Sequence, residues 1–159
     1  MIPALLVISL IGCSDNRLHL SDNSVREINL EIRQSFDRLV EASKKLDSKR
    51  YFEFFDKDKF VGLNSDGKNW NSIDDLRKIV ELGFNAVDRV QFLVFTNIQV
   101  SVIDKNTAIL VNEYEQEVVL KSGEVIDAAG GGTQVWSRES GEWKIVSVSS
   151  SIKPSRTNE

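Results

Sequence analysis

The stretches RVQFLVFTNIQVSVI (89–103), TAILVNEYEQEVVL (107–120), VIDAAGGGTQVWSR (125–138) and EWKIVSVSSSI (142–152) alternate apolar and polar residues in long runs. A period of two is the signature of a β-strand, because successive side chains point to opposite faces. The joints between them are Asp104-Lys105-Asn106, Ser122-Gly123 and Ser140-Gly141, all short and turn-forming. Four strands joined by tight turns predict an antiparallel meander. Gly130-Gly131-Gly132 falls inside the third strand. Glycine there predicts a bulge or sharp bend, and hence a strongly curved sheet.

Upstream the period changes to that of a helix. Ser24 followed by Glu27 reads as a capping box, and Ile28, Ile32, Phe36, Leu39, Ser43 and Leu46 recur behind it at helical spacing. Tyr51-Phe52-Glu53-Phe54-Phe55 predicts a short helical turn packed beside that helix, ended by Asp56-Lys57-Asp58. Lys59 to Leu63 reads as a brief strand, and Asn64-Ser65-Asp66-Gly67-Lys68 as a turn. Ser72 with Asp75 then caps a further helix with an apolar face of Ile73, Leu76, Ile79/Val80, Phe84 and Val87. Helices first and strands last give an α+β class, with the helices packed in the concavity of the curved antiparallel sheet.

Composition narrows the function. The chain has 159 residues, 20 Lys+Arg against 24 Asp+Glu and hence a net charge of −4, with 41% hydrophobic residues. That is one ordinary domain without the basic face of a nucleic-acid binder. One Cys and one His exclude an internal disulfide and cannot supply the three or four soft ligands of a zinc site, so no metal or cofactor is expected. The lone His19 sits in a polar stretch and is read as solvated. Gly130-Gly131-Gly132 lacks the following helix and Lys-Ser/Thr of a phosphate-cradling loop.

Residues 2–11 are apolar except for Pro3 and Ser9, and the run ends at Gly12-Cys13 before the polar Ser14-Asp15-Asn16-Arg17. A membrane span needs ~20 apolar residues, so this shorter run fits a cleaved signal peptide. Leu10-Ile11-Gly12-Cys13 resembles the lipobox of bacterial lipoproteins. The resemblance implies cleavage before Cys13, acylation of its thiol and new amino terminus, and a lipid anchor in the cell envelope. With Ser14 next, it implies the outer membrane in a Gram-negative host. The expected division is therefore a signal peptide over 1–12, a tether over 13–23, a domain over 24–152 and a tail over 153–159.

Helix, short helix, hairpin, helix and curved meander is the element order of the nuclear transport factor 2-like superfamily, which includes the SnoaL-like polyketide cyclases, ketosteroid isomerase and scytalone dehydratase. Gly132-Thr133-Gln134-Val135-Trp136 followed by Gly141-Glu142-Trp143-Lys144-Ile145-Val146 resembles the last hairpin of many SnoaL-like domains. The resemblance covers residues 24–152 and implies a cone-shaped fold with a conical pocket. Where many of these domains continue to an inward His, this chain has Ser147-Val148-Ser149-Ser150-Ser151.

Alternation puts Ser147, Ser149 and Ser151 on the face of Trp143 and Ile145. On the second strand of the meander, Asn112, Tyr114 and Gln116 share a face with Ala108 and Leu110, and Glu113, Glu115 and Glu117 take the other. These six hydroxyl, phenol and amide residues are the candidate pocket lining. Catalysis by a pocket acid or base has three candidates: Tyr114 as an oxyanion donor, and Asp127 or Asp37 as the carboxylate. Asp127 shares a face with Val125, Ala129, Thr133 and Val135, and Asp37 lies one step off the stripe of the first helix. Three readings remain open. One is a lipid-anchored module binding a small apolar or amphipathic molecule. Another is an isomerase, dehydratase or cyclase using Tyr114 and an Asp. The third is an envelope interaction protein or homodimer acting through the outer sheet face, where Ile109, Val111 and Val119 alternate with the Glu residues.

Overall fold

A computed structural model describes residues 20–154. Its elements are α1 (Asp22–Lys44), α2 (Ser48–Phe52), β1 (Val61–Leu63), β2 (Asn69–Trp70), α3 (Ile73–Ala86), β3 (Val87–Asp104), β4 (Thr107–Leu120), β5 (Val125–Ser137) and β6 (Lys144–Ile152). One sheet holds all six strands in the order β2-β1-β6-β5-β4-β3. The class is α+β, and the meander β3 to β6 is antiparallel throughout. The sheet as a whole is mixed, because β1 lies parallel to β6 with Val61 opposite Ser147 and Leu63 opposite Ser149. A parallel pair needs a long crossover, supplied here by α3 and the strands after it.

α1 begins earlier than a Ser24 cap predicts. Ser21 is the N-cap, its hydroxyl accepting from Ser24 N–H at 3.2 Å, so Asp22 and Asn23 belong to the helix rather than to a tether. Asp22 then places its charge at the positive end of the helix. The buried stripe is Ile28, Ile32, Ser35, Phe36, Leu39 and Ala42. Leu46, with φ 54°, turns the chain out of the helix, and Asp47 N–H closes on Ala42 O. In α3 the buried face is Ile73 and Leu76, continued by half-buried Val80 and Phe84; Ile79 faces solvent. Only half of its capping arrangement forms: Asp75 Oδ2 accepts from Asn71 N–H at 3.1 Å, while the Ser72 hydroxyl makes no cap bond.

The helices cover the face of the sheet that carries Val100, Val102, Ala108, Leu110, Trp136 and Ile145. Trp136, Phe36, Ile32, Leu110 and Ile145 are the largest fully buried side chains, each contributing roughly 1.5–3 kcal/mol by leaving water. Phe36 meets Phe95 edge-on at 4.9 Å, tying α1 to β3. Four register irregularities in the β3–β4 ladder bend the long strands over this core.

Two details of the ladder decide which side chains face inward. The β4–β5 register runs unbroken through Gly130, Gly131 and Gly132, so the glycines carry no bulge. The break in the β5–β6 register lies elsewhere: Val135 faces Ser147 and Trp136 faces Ile145, leaving Val146 as an extra residue. Because side chains alternate, one extra residue sends everything after it to the opposite face. No helix among the described residues is long and apolar enough to cross a membrane.

Candidate functional site

The concave face of β4 continues from Ala108 and Leu110 to Asn112, Tyr114 and Gln116. Asn112 is 4% exposed, and its Oδ1 is buried without a hydrogen-bond partner. Its neighbour across the ladder is Gly132, and Gly132 in turn faces Ser150. A β-carbon at Gly132 would stand 3.3 Å from that oxygen. The amide thus looks onto bare backbone, with one hydroxyl beyond it.

Tyr114 pairs with Gly130. A β-carbon there would sit 2.8 Å from the Tyr114 ring and 2.9 Å from its hydroxyl, so the ring occupies the space a side chain would fill. Phe95 stands on its other side, with ring centroids 6.2 Å apart. Loss of hydration raises the Tyr114 phenol above its ordinary value.

A second phenol belongs with this interior and was missed in the sequence, where Tyr51 read as filler in an apolar turn. Its ring packs against Phe52, Phe55 and Phe84 at 5.2, 5.1 and 5.7 Å, joining α2 to α3. Burial pushes its phenol up to about 12. The available signal was a single hydroxyl inside an otherwise aromatic run.

The structure moves the other candidates away from this face. Ser147, Ser149 and Ser151 lie outside it, because the extra residue Val146 reverses the alternation after Ile145. Ser150 and Val148 point inward in their place. Ser149 and Ser151 instead line a shallow notch of about 230 Å³ with Val111, Gly131 and Thr133. Asp127 is also outside, opposite Glu117 and exposed to solvent. Two sets of alternate residues on β5 are comparably apolar, and the burial of Trp136 selects the one containing Ile126, Ala128 and Gln134. Asp37 is exposed on α1, beside a groove of about 280 Å³ formed with Phe36, Val40, Leu93 and Phe95. On the outer face Val111 is exposed, but Val119 is buried and does not extend an apolar stripe. Cys13 and His19 lie outside the described residues.

The inward polar side chains of the sheet are therefore Tyr114, Asn112, Gln116, Gln134 and Ser150, with Tyr51 and Ser35 added by the helices. All are neutral at pH 7, and Gln134 Oε1 is already used, accepting from Trp136 Nε1 at 3.1 Å. Such groups orient a guest by hydrogen bonds but do not shuttle protons near neutrality. Among the described residues, no cluster of three or more His, Cys, Asp or Glu side chains could hold a metal ion.

A cone of helices against a bent sheet, with its polar row along β4, is the nuclear transport factor 2-like architecture. The chain belongs to the SnoaL-like domain family, whose model matches residues 32–154. A nuclear transport factor 2-like superfamily protein from Salmonella enterica is similar over 84% of this chain and 96% of its own, at 16% identity and a TM-score of 0.73. The association domain of the calcium/calmodulin-dependent kinase II of C. elegans is similar over 82% and 99%, at 19% identity and a TM-score of 0.65. A type 2 hexachlorocyclohexane dehydrochlorinase is similar over 84% and 90%, at 12% identity and a TM-score of 0.70. At such identities the likeness shows the fold alone. No curated protein sequence matches the chain.

Proposed function

We propose that this chain is a lipid-anchored binding module of the cell envelope, holding a small apolar or amphipathic molecule against the concave face of its sheet. The supporting observation is Asn112, whose buried Oδ1 lacks a partner in the protein and lies in the same polar row as Tyr114. A buried acceptor left unpaired costs about 1–3 kcal/mol, which a guest bearing one donor recovers. Tyr114, whose ring lies against Phe95, supplies the neighbouring apolar surface. The isomerase, dehydratase or cyclase reading needs a carboxylate against Tyr114, whereas Asp127 lies on the outer face and Asp37 is exposed.

Native mass spectrometry of gently purified protein tests the module. A reproducible extra mass on the wild type, absent from Asn112→Leu, supports it; bare chain mass in both counts against it. Asn112→Leu should also be more stable, by about 1 kcal/mol, since it removes the unpaired oxygen without opening a cavity. The anchor rests on Leu10-Ile11-Gly12-Cys13 and is tested by labelled palmitate, whose incorporation Cys13→Ser must abolish.

A second reading, self-association through the outer sheet face, is favoured by one observation. Phe92, Val94 and Val111 stand 42%, 44% and 45% exposed on that face, a group of large apolar side chains left to water. The kinase relative is described as an association domain, which suits the same use of the fold. Light scattering behind a sizing column should find a dimer that Val94→Glu splits; a wild-type monomer at every concentration removes this reading.

A further inference from the structure

We infer that the cleft between α1, the turn after α2 and the start of β6 is a separate binding site for a small organic anion carrying a phosphate or carboxylate on an aromatic body. The cleft is about 440 Å³, with Arg38 and Ser35 of α1, Arg50 of α2, and Phe54 and Trp143 among its walls. Its charges sort into those already engaged and those left free.

At the inner end, Glu31 Oε2 accepts from Trp143 Nε1 at 2.7 Å and from Arg138 Nη1 at 2.9 Å. Arg138 also lies over the Trp143 ring, 4.9 Å from its centre. That network spends the Glu31 charge and fixes Trp143 as a rigid wall. Lys144 Nζ donates to the Glu53 main-chain oxygen and pairs with Glu142, each at 2.8 Å. Its bond holds Glu142 below the ordinary carboxylate range, with the field of Arg38 adding to it.

Two guanidinium groups remain. Arg38 Nη2 donates to the buried Ser35 hydroxyl at 3.1 Å and makes no ion pair among the described residues, meeting Glu142 only through its field. Arg50 makes no ion pair among the described residues; its own main-chain N–H bonds Asp47 instead. The lining side chains are balanced, three cations against three anions, and the Arg138 guanidinium bonded to Glu31 behind the wall adds one positive charge, so the two arginines face a cleft with only Glu53 left to offset them. Guanidinium presents its donors as a fork that matches carboxylate and phosphate oxygens. Phe54 and Trp143 supply apolar surface for the body of the ligand. The site shares no residue with the Asn112 row and stands or falls independently of it.

Calorimetric titration of the whole chain with phenyl phosphate, benzoate and inorganic phosphate tests the assignment. At least one aromatic anion should bind saturably, and inorganic phosphate at least about tenfold more weakly, because it gains nothing from the rings. Arg38→Gln and Arg50→Gln should each weaken binding by about tenfold or more, the usual loss of a charged hydrogen bond. Both arginines are exposed, so matching melting temperatures will show that the variants fold, and Lys121→Gln, at a remote exposed site, should bind like the wild type. Absence of saturable binding by either aromatic anion, unchanged affinity in both arginine variants, or equal affinity for inorganic phosphate would overturn the proposal.

Discussion

A β-carbon at Gly130 would lie 2.0 Å from the Ser151 carbonyl oxygen and 2.8 Å from the Tyr114 ring. The first of these is backbone and cannot swing away, so alanine must part β5 from β6 or expel the tyrosine. At Gly131 the tightest approach is 3.1 Å, to the Asn112 carbonyl oxygen, which a small shift relieves. Gly130→Ala should therefore lose roughly 3 kcal/mol and Gly131→Ala about 1 kcal/mol, the upper and lower ends of ordinary overpacking. Urea unfolding of the two variants measures the difference. Equal losses would mean that β6 and Tyr114 do not close over Gly130 as tightly as these distances require.

At the scale of the element, the β-bulge at Val146 decides what the last strand presents. Period-two reading located all four strands of the meander within two residues of their ends, because strand length and turn chemistry are local properties of the chain. It also put Asn112 and Tyr114 on the face of Leu110, since β4 has no bulge against β5. It failed for Ser147, Ser149 and Ser151 because Trp143-Lys144-Ile145-Val146-Ser147 carries no glycine or other local mark of the extra residue. The bulge exists because both Trp136 and Ile145 are drawn fully into the core, a tertiary demand invisible in one strand alone. Likewise the β1–β6 pairing joins residues 61–63 to residues 147–149, a contact that no local pattern encodes. The bulge has a direct chemical consequence. In a Cys13→Ser background, a cysteine at Ser149 should react with a maleimide much faster than one at Val148, since Ser149 is exposed and Val148 packs on the core. Without the bulge their order would reverse.

At the scale of the whole molecule, the α2–α3 layer is held together by the ring of Tyr51 between Phe52, Phe55 and Phe84, and that layer should loosen in alkali. The phenol titrates near 10 in the unfolded chain and at about 12 in the folded one. Between those values the unfolded state has released its proton while the folded state retains it, so folding becomes less favourable as pH rises. The stability contributed by the neutral phenol is complete below pH 10 and is lost as the pH passes about 12, a fall of about 3 kcal/mol at 1.4 kcal/mol per unit. Lys59 and Lys153 are also raised, by their bonds to Glu139 and Glu113, but both are exposed and weakly coupled to folding. Tyr51→Phe keeps the ring and removes the titrating group. Urea midpoints measured from pH 9 to 12 should fall more steeply for the wild type than for this variant, with the two curves furthest apart at the alkaline end. Parallel curves would mean that the Tyr51 hydroxyl stays hydrated and that the aromatic layer between α2 and α3 is open to water.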